Sequence, residues 1–367
     1  MNRMSGIAAP GRGATGLFTQ WNRRALFGWL GLLLLALVPV ASHATDTPYL
    51  INAMTRFVIY GLAAVSLDLV LGYGALISFG HAMFFGLGGY VVAIVTFHAV
   101  EAGPLFGWAG STQALVVWPI ALLCCALLGL AVGYLALRTS GVQFIMITLA
   151  FSQMVYFILV SLQVYGGDDG LMLSQRSVLP GVDLTDPVSF YYVCLAVLAA
   201  WTVFCMKLVN SRYGMVLQAL RQSERRAVNL GVAPMPYRLS AFVISAVGTG
   251  MAGILWANYA ELVTPDMAAW TKSGELMAIV ILGGVGTLLG PIAGAAVFLG
   301  LEQALSAWTE HWMFIMGPIL VLVVLAGKQG LFGHWLNGKP SPDALRAPPR
   351  GGCTGGPAKP DPRRPGS

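Results

Sequence analysis

Residues 114–136 read ALVVWPIALLCCALLGLAVGYLA and carry no charged side chain. As an α-helix, about twenty such residues rise roughly 30 Å, the thickness of the hydrocarbon core of a bilayer. In that solvent an unpaired backbone N–H or C=O has no water to bond, so the run must be helical. Outward from it the pattern repeats. Apolar runs of similar length are expected at about 25–44, 50–71, 81–100, 142–163, 189–208, 239–260, 273–288, 291–308 and 312–327. Hydrophobic residues make up 57% of the 367 and charged residues 10%, against roughly 25% charged in soluble domains. One buried core helix could be this apolar, but a soluble domain has no use for ten. The expected fold is an all-α polytopic transmembrane bundle of about ten spans, with eight to ten compatible with the boundaries.

Orientation follows from Lys and Arg, which stay on the cytoplasmic side. With both termini inside, 18 of the 21 basic residues fall in cytoplasmic segments: Arg3, Arg12, Arg23 and Arg24, Arg138, the group from Lys207 to Arg238, and those from Lys328 onward. Arg176 and Lys272 fall outside, and Arg56 lies within a span. This distribution makes the net charge of +6 a topology signal, so no nucleic-acid partner is expected. Three regions result: a cytoplasmic segment 1–24, a membrane domain 25–330 with a cytoplasmic loop at 209–238, and a Pro/Arg-rich tail 331–367 expected to be disordered. The first span also resembles a signal peptide, with Ser42-His43-Ala44 as a small-residue cleavage site, so anchor and cleaved leader both remain open. Cys124, Cys125, Cys194, Cys205 and Cys353 show no C-x-x-C spacing and read as packing residues. No metal and no cofactor is expected.

Two glycine-rich clusters break the helical pattern. The first runs from Gly72 through Ser78 to His81, followed by Gly86, Gly88 and Gly89. The second runs from Gly283 through Gly284 and Gly286 to Pro291. Irregular backbone at membrane depth is tolerated where protein shields it or a cavity hydrates it. Broken elements in both halves of a chain point to a translocation pathway; close helix packing on small residues is the competing reading. Ionisable groups in or at the ends of spans (Arg56, Asp68, His81, Glu275 and Glu302) are costly in lipid, so they face protein, a cavity or the interface. Arg56 and Asp68, twelve residues apart on one helix, cannot pair. The candidate path residues are Asp68, Ser78, His81, Glu275, Gly283, Gly284 and Gly286.

In the basic loop, Ser223 suits an N-cap, Glu224 the positive end of a helix dipole, and Gly231 a left-handed terminus. A helix of about two turns is expected there. It is too short to stand alone, so it rests on the membrane domain, docks a partner, or lies on lipid headgroups through Arg221, Arg225 and Arg226.

The stretch Ser66 to Ala82 resembles the first signature of ATP-binding-cassette importer permeases of the branched-chain amino-acid, LivM-like family. The resemblance recurs at Leu220 to Gly231, Tyr237 to Ala246, Thr264-Pro265-Asp266, and Ser273 through Pro291, and covers about 55–310 in family order. Asp68 departs from the asparagine expected there, and Arg238 from the usual lysine. The resemblance implies a multi-pass permease of the bacterial inner membrane that is not itself an enzyme. It further implies a second, LivH-like permease subunit, two cytoplasmic ATPase subunits and a periplasmic binding protein. The implied cargo is leucine, isoleucine, valine or a related small solute, with urea and short amides as alternatives. By the same resemblance Ser223, Glu224, Arg225, Arg226, Leu230 and Gly231 form the coupling element to the ATPase. Independently, the chain holds no G-x-x-x-x-G-K-[ST] phosphate loop and no H-E-x-x-H pair. An ion-coupled transporter using Asp68, Glu275 and His81 is the remaining competitor.

Overall fold

A computed structural model describes residues 31, 34–39, 48–101, 103, 110–309 and 311–326. The segment 1–24, most of the expected first span 25–44, Cys353 and the tail 331–367 lie outside the described residues. Among the described residues, six helices are long and apolar enough to cross a membrane. They are α1 (Pro48–Asp68), continued by a π-helical turn at Leu69–Tyr73, α2 (His81–Val100), α3 (Ala114–Ala136), α4 (Val142–Ser161), α5 (Pro187–Asn210) and α8 (Pro234–Ala260). Between α5 and α8 lie two short helices, α6 (Arg212–Gln222) and α7 (Glu224–Asn229). After α8 come α9 (Trp270–Gly283), α10 (Gly290–Ser306) and α11 (Trp312–Ala326).

The six long helices coincide with six of the ten expected spans. The other described three are shorter, with 14, 17 and 15 residues, or about 21–26 Å of rise. The expected span 273–288 is cut at Gly283, because Gly284 takes φ +113° and turns the chain out of the helix. The expected span 239–260 begins earlier, at Pro234, where the fixed φ of proline suits the first helical turn. Asp186 caps α5 by accepting the Ser189 N–H at 3.0 Å.

α1 is the hub. Its crossing window is 83% buried, against 28% for α3 and α4 and 33% for α5. The latter three therefore present an apolar outer layer to lipid or to another membrane protein, with Leu123, Leu127, Leu130, Phe157 and Phe204 exposed on it. α2 and α8 cross beside α1 with their backbones nearly touching: a side chain at Gly88 or Gly253 would collide with the carbonyl of Gly250 or Phe85.

The chain from α8 to α9 does not stay at the end of the bundle. Leu262–Val263 pairs with Leu171–Met172 in a two-residue antiparallel ladder. The next 3-10 turn, Pro265–Ala268, then dips inward, where Ser152, midway along α4, donates to the Ala268 carbonyl at 2.8 Å. α9 thus starts inside the bundle. The segment Gly74–Gly80 does the same from the opposite end, so α2 also begins at depth. Backbone without helical bonds is sheltered in both places by surrounding protein.

Candidate translocation and coupling elements

The two inward-starting helices meet. The Ala82 N–H, in the first turn of α2, donates to the Ser273 hydroxyl of α9 at 2.9 Å, giving a partner to a donor that a helix start leaves open. Beside it, Ser78, His81 and Ser245 are fully buried. Ser245 Oγ donates to the Ser66 carbonyl at 2.5 Å, so it can only accept from His81 Nε2, 2.9 Å away. The other ring nitrogen, Nδ1, lies 3.1 Å from Ser78 Oγ. Ser78 in turn accepts the Gly80 N–H at 3.2 Å. Phe84 and Phe242 pack edge-on against the ring. Every polar atom of His81 is used in holding the break before α2 against α1 and α8.

A second junction lies one helix end away. Asp68, fully buried, accepts the Gly286 N–H at 2.7 Å on Oδ1 and the Leu288 N–H at 3.1 Å on Oδ2. One carboxylate thus binds the turn Gly284–Leu289 that joins α9 to α10. Charge-assisted bonds of this kind are the stronger class. Gly286 has φ +80°, a region open to glycine at little cost. Gly72 has no room for a side chain, since a Cβ would sit 2.5 Å from the Gly286 nitrogen. The two glycine-broken clusters are therefore in backbone contact across 200 residues of sequence. Gly86, Gly88 and Gly89 sit apart, inside α2, where they serve close packing against Ala268, Gly250 and Met267.

Glu275 belongs to neither junction. It pairs with Lys272 at 2.7 Å, Lys272 donates to Tyr60 Oη at 3.2 Å, and Arg56 pairs with Glu302 at 2.7 Å. Both cations lie near the Tyr60 ring. Of the expected path residues, Asp68, Gly283, Gly284 and Gly286 gather at one junction, Ser78 and His81 at another, and Glu275 in this charge cluster. Gly283 packs backbone to backbone against Gly290.

At the Asp68 end, the basic loop folds into α6 and α7. Ser211 caps α6 and Ser223 caps α7, each through its hydroxyl. α7 closes on a Schellman turn: Val232 N–H bonds the Ala227 carbonyl at 3.1 Å, Gly231 N–H bonds Val228 at 2.9 Å, and Gly231 takes φ +85°. Ala227 is buried, Leu230 is 84% exposed, and Arg225 and Arg226 are exposed. Glu224 pairs with Arg238 at 2.9 Å, tying α7 to the first turn of α8. Arg221, in the last turn of α6, donates to the Gly72 carbonyl.

Sequence reasoning missed Ser66, Ser245 and Ser273 as partners, and it considered Arg221 only as one possible contact to lipid headgroups. Arg221 had a signal, as it is the arginine nearest the end of an apolar-faced helix, but the carbonyl it meets is 149 residues earlier.

Residues 49–324 match the family described as branched-chain amino acid transport system, permease component. The high-affinity branched-chain amino acid permease protein LivM of Escherichia coli K12 is 26% identical over 308 residues, covering 77% of this chain and 69% of that one. LivH of the same organism is 23% identical, covering 77% of this chain and 94% of its own length. The L-arabinose ABC transporter permease AraH of Azospirillum brasilense is 25% identical, covering 86% and 91%. No solved structure matches.

Proposed function

The chain belongs to the permease-component family of branched-chain amino acid transport systems, and on that premise we propose that it is one membrane half of an ATP-driven importer. In this reading a LivH-like subunit supplies the other half, a periplasmic binding protein delivers the solute, and two ATPase subunits drive transport from the cytoplasm, one of them docking on α7 through Ser223, Glu224, Arg225, Arg226, Leu230 and Gly231. The membrane is the bacterial inner membrane. The segment 1–24 and the tail 331–367 are cytoplasmic additions to the membrane domain 25–330. Lys207 in the last turn of α5, Arg212, Arg221, Arg225 and Arg226 in α6 and α7, and Arg238 near the start of α8 cluster at one end of the bundle, which supports placing that end in the cytoplasm.

The observation that carries the proposal is the α6–α7 unit. It presents exposed Arg225, Arg226 and Leu230 to the outside while Arg221 reaches the junction of the broken segments. Such a unit transmits a push from a cytoplasmic partner to the interior. An ion-coupled mechanism finds less support. His81 and Asp68 are committed to internal hydrogen bonds, and Glu275 to Lys272.

For cargo, we propose branched-chain amino acids, as in the names of the LivM and LivH relatives. AraH is a relative named for a sugar, so urea, short amides and other small solutes form the second reading. The test is uptake by proteoliposomes holding the complete transporter and its binding protein. ATP-dependent entry of leucine is expected. Uptake driven by an ion gradient without ATP would overturn the importer assignment. Calorimetry of the binding protein against leucine and urea decides the cargo, and failure to bind any branched-chain amino acid would overturn that choice.

A further inference from the structure

We propose that Arg221 is a positioning residue: it supplies the counter-charge that keeps Asp68 clamped on the Gly284–Leu289 turn, and its withdrawal with α6 releases the clamp. The inference rests on the importer reading for the force that moves α6, and on the geometry alone for the clamp.

Three segments distant in sequence meet at one point. The π-helical turn after α1 contributes the Gly72 carbonyl, the turn before α10 contributes the Gly286 and Leu288 amides, and α6 contributes the guanidinium. A Cβ on Gly286 would lie 3.2 Å from Arg221 Nη1, so the guanidinium rests against the same turn that Asp68 binds. Two backbone amides satisfy lone pairs of the carboxylate but leave its full negative charge buried, and an uncompensated buried charge is strongly unfavourable. The Arg221 guanidinium, held on the Gly72 carbonyl and against the same turn, is near enough for its charge to act on the carboxylate without forming a direct ion pair. Its stem is exposed, so the pair is partly screened by water and the effect of losing it is several-fold rather than thousand-fold. That exposure also suits a movable part. A shift of α6 would lift the guanidinium from Gly72, working against the packing of Gly214, Leu217 and Leu220, which the helix buries.

Cys205 is the built-in reporter. It is fully buried in a small cluster with Val65, Leu69, Val209 and Leu288, so release of the turn bearing Leu288 uncovers its thiol. In the complete transporter, with the other four cysteines replaced by alanine, the rate of Cys205 alkylation by a small maleimide is measured. Arg221→Gln is expected to raise that rate about fivefold. Asp68→Asn combined with Arg221→Gln should bring it back to within about twofold of Asp68→Asn alone, because a neutral amide needs no counter-charge. Arg221→Lys, which keeps the charge, should label within about twofold of the parent. Labelling of Arg221→Gln at the parental rate, or a double variant that labels about fivefold faster than Asp68→Asn alone, overturns the clamp. In the same vesicles Arg221→Gln should retain ATP hydrolysis while uptake falls about fivefold. Undiminished uptake would overturn the transmitting role even if labelling rises. Absence of ATP-dependent uptake in the parent, with the labelling pattern intact, would instead sink the importer reading and leave the clamp standing.

Discussion

Replacing Gly72 by alanine puts the contact between the two broken segments to a direct test. The added methyl would lie 2.5 Å from the Gly286 nitrogen and 2.6 Å from its Cα, and would also strike Asp68 Oδ1. Ordinary contact begins near 3.4 Å, so the turn before α10 must retreat by nearly an ångström. Both obstacles are main chain or a buried carboxylate, and neither can rotate aside. Overpacking of this kind costs about 1–3 kcal/mol. The retreat also stretches the 2.7 Å bond from the Gly286 N–H to Asp68, a bond to a charged group worth about 1.5–3 kcal/mol. Since the two losses share one displacement they do not add fully, and a total near 2–4 kcal/mol is expected. Gly274→Ala is the matched control: it lies in α9 with nothing within 4 Å of an added methyl, and alanine should gain up to ~1 kcal/mol of helix propensity there. Reversible unfolding in mixed micelles, followed by circular dichroism, measures both. A Gly72→Ala protein as stable as Gly274→Ala would show that the two segments are not in backbone contact.

Leu230→Asp with Gly231→Asp should leave stability within about 1 kcal/mol, because Leu230 is solvent-facing and only the left-handed Gly231 is strained by a side chain. ATP-driven uptake should collapse, and normal uptake would refute docking at α7. Ser245→Ala removes the acceptor for His81 Nε2 and the donor to Ser66. A destabilisation of about 1–3 kcal/mol is expected from the orphaned imidazole, read in the same unfolding assay. Charge removal should separate two ion pairs whose arginines are similarly buried: Glu302→Gln, at a glutamate 16% exposed, should cost more than Glu261→Gln, at a glutamate 51% exposed, where the pair is worth ~1 kcal/mol or less. Equal costs would contradict the burial difference.

What the sequence made legible was what depends on local composition. The run Ala114–Ala136 is apolar throughout, and its helix has the boundaries its letters suggest. The α7 helix could also be read locally, since Ser223, Glu224 and Gly231 occupy capping positions of one short element. The span expected over 273–288 was misjudged because hydropathy does not register backbone dihedrals. Val285 and Leu288 are as apolar as any helical neighbour, yet Gly284 and Gly286 turn the chain between them. Pairings across the fold were out of reach. Arg56 and Glu302 each stood out as costly charges, but their meeting depends on the register of α1 against α10, 246 residues apart. Asp68 stood out for the same reason, and nothing near it in sequence indicates that its partners are main-chain amides 218 and 220 residues later.

That Asp68 reads amides and not side chains bears on how this region can change over generations. The amides come from Gly286 and Leu288, so the exposed Val285 can drift while the junction persists, whereas the Thr287 hydroxyl ties the Gly284 carbonyl to the Gly290 N–H and is part of the turn. Gly72 and Gly286 have no such latitude, one by crowding and the other by dihedral angle. A lineage could thus change the outward letter at 285 and keep the mechanics of the turn, provided hydrogens stay at Gly72 and Gly286 where a methyl would otherwise be.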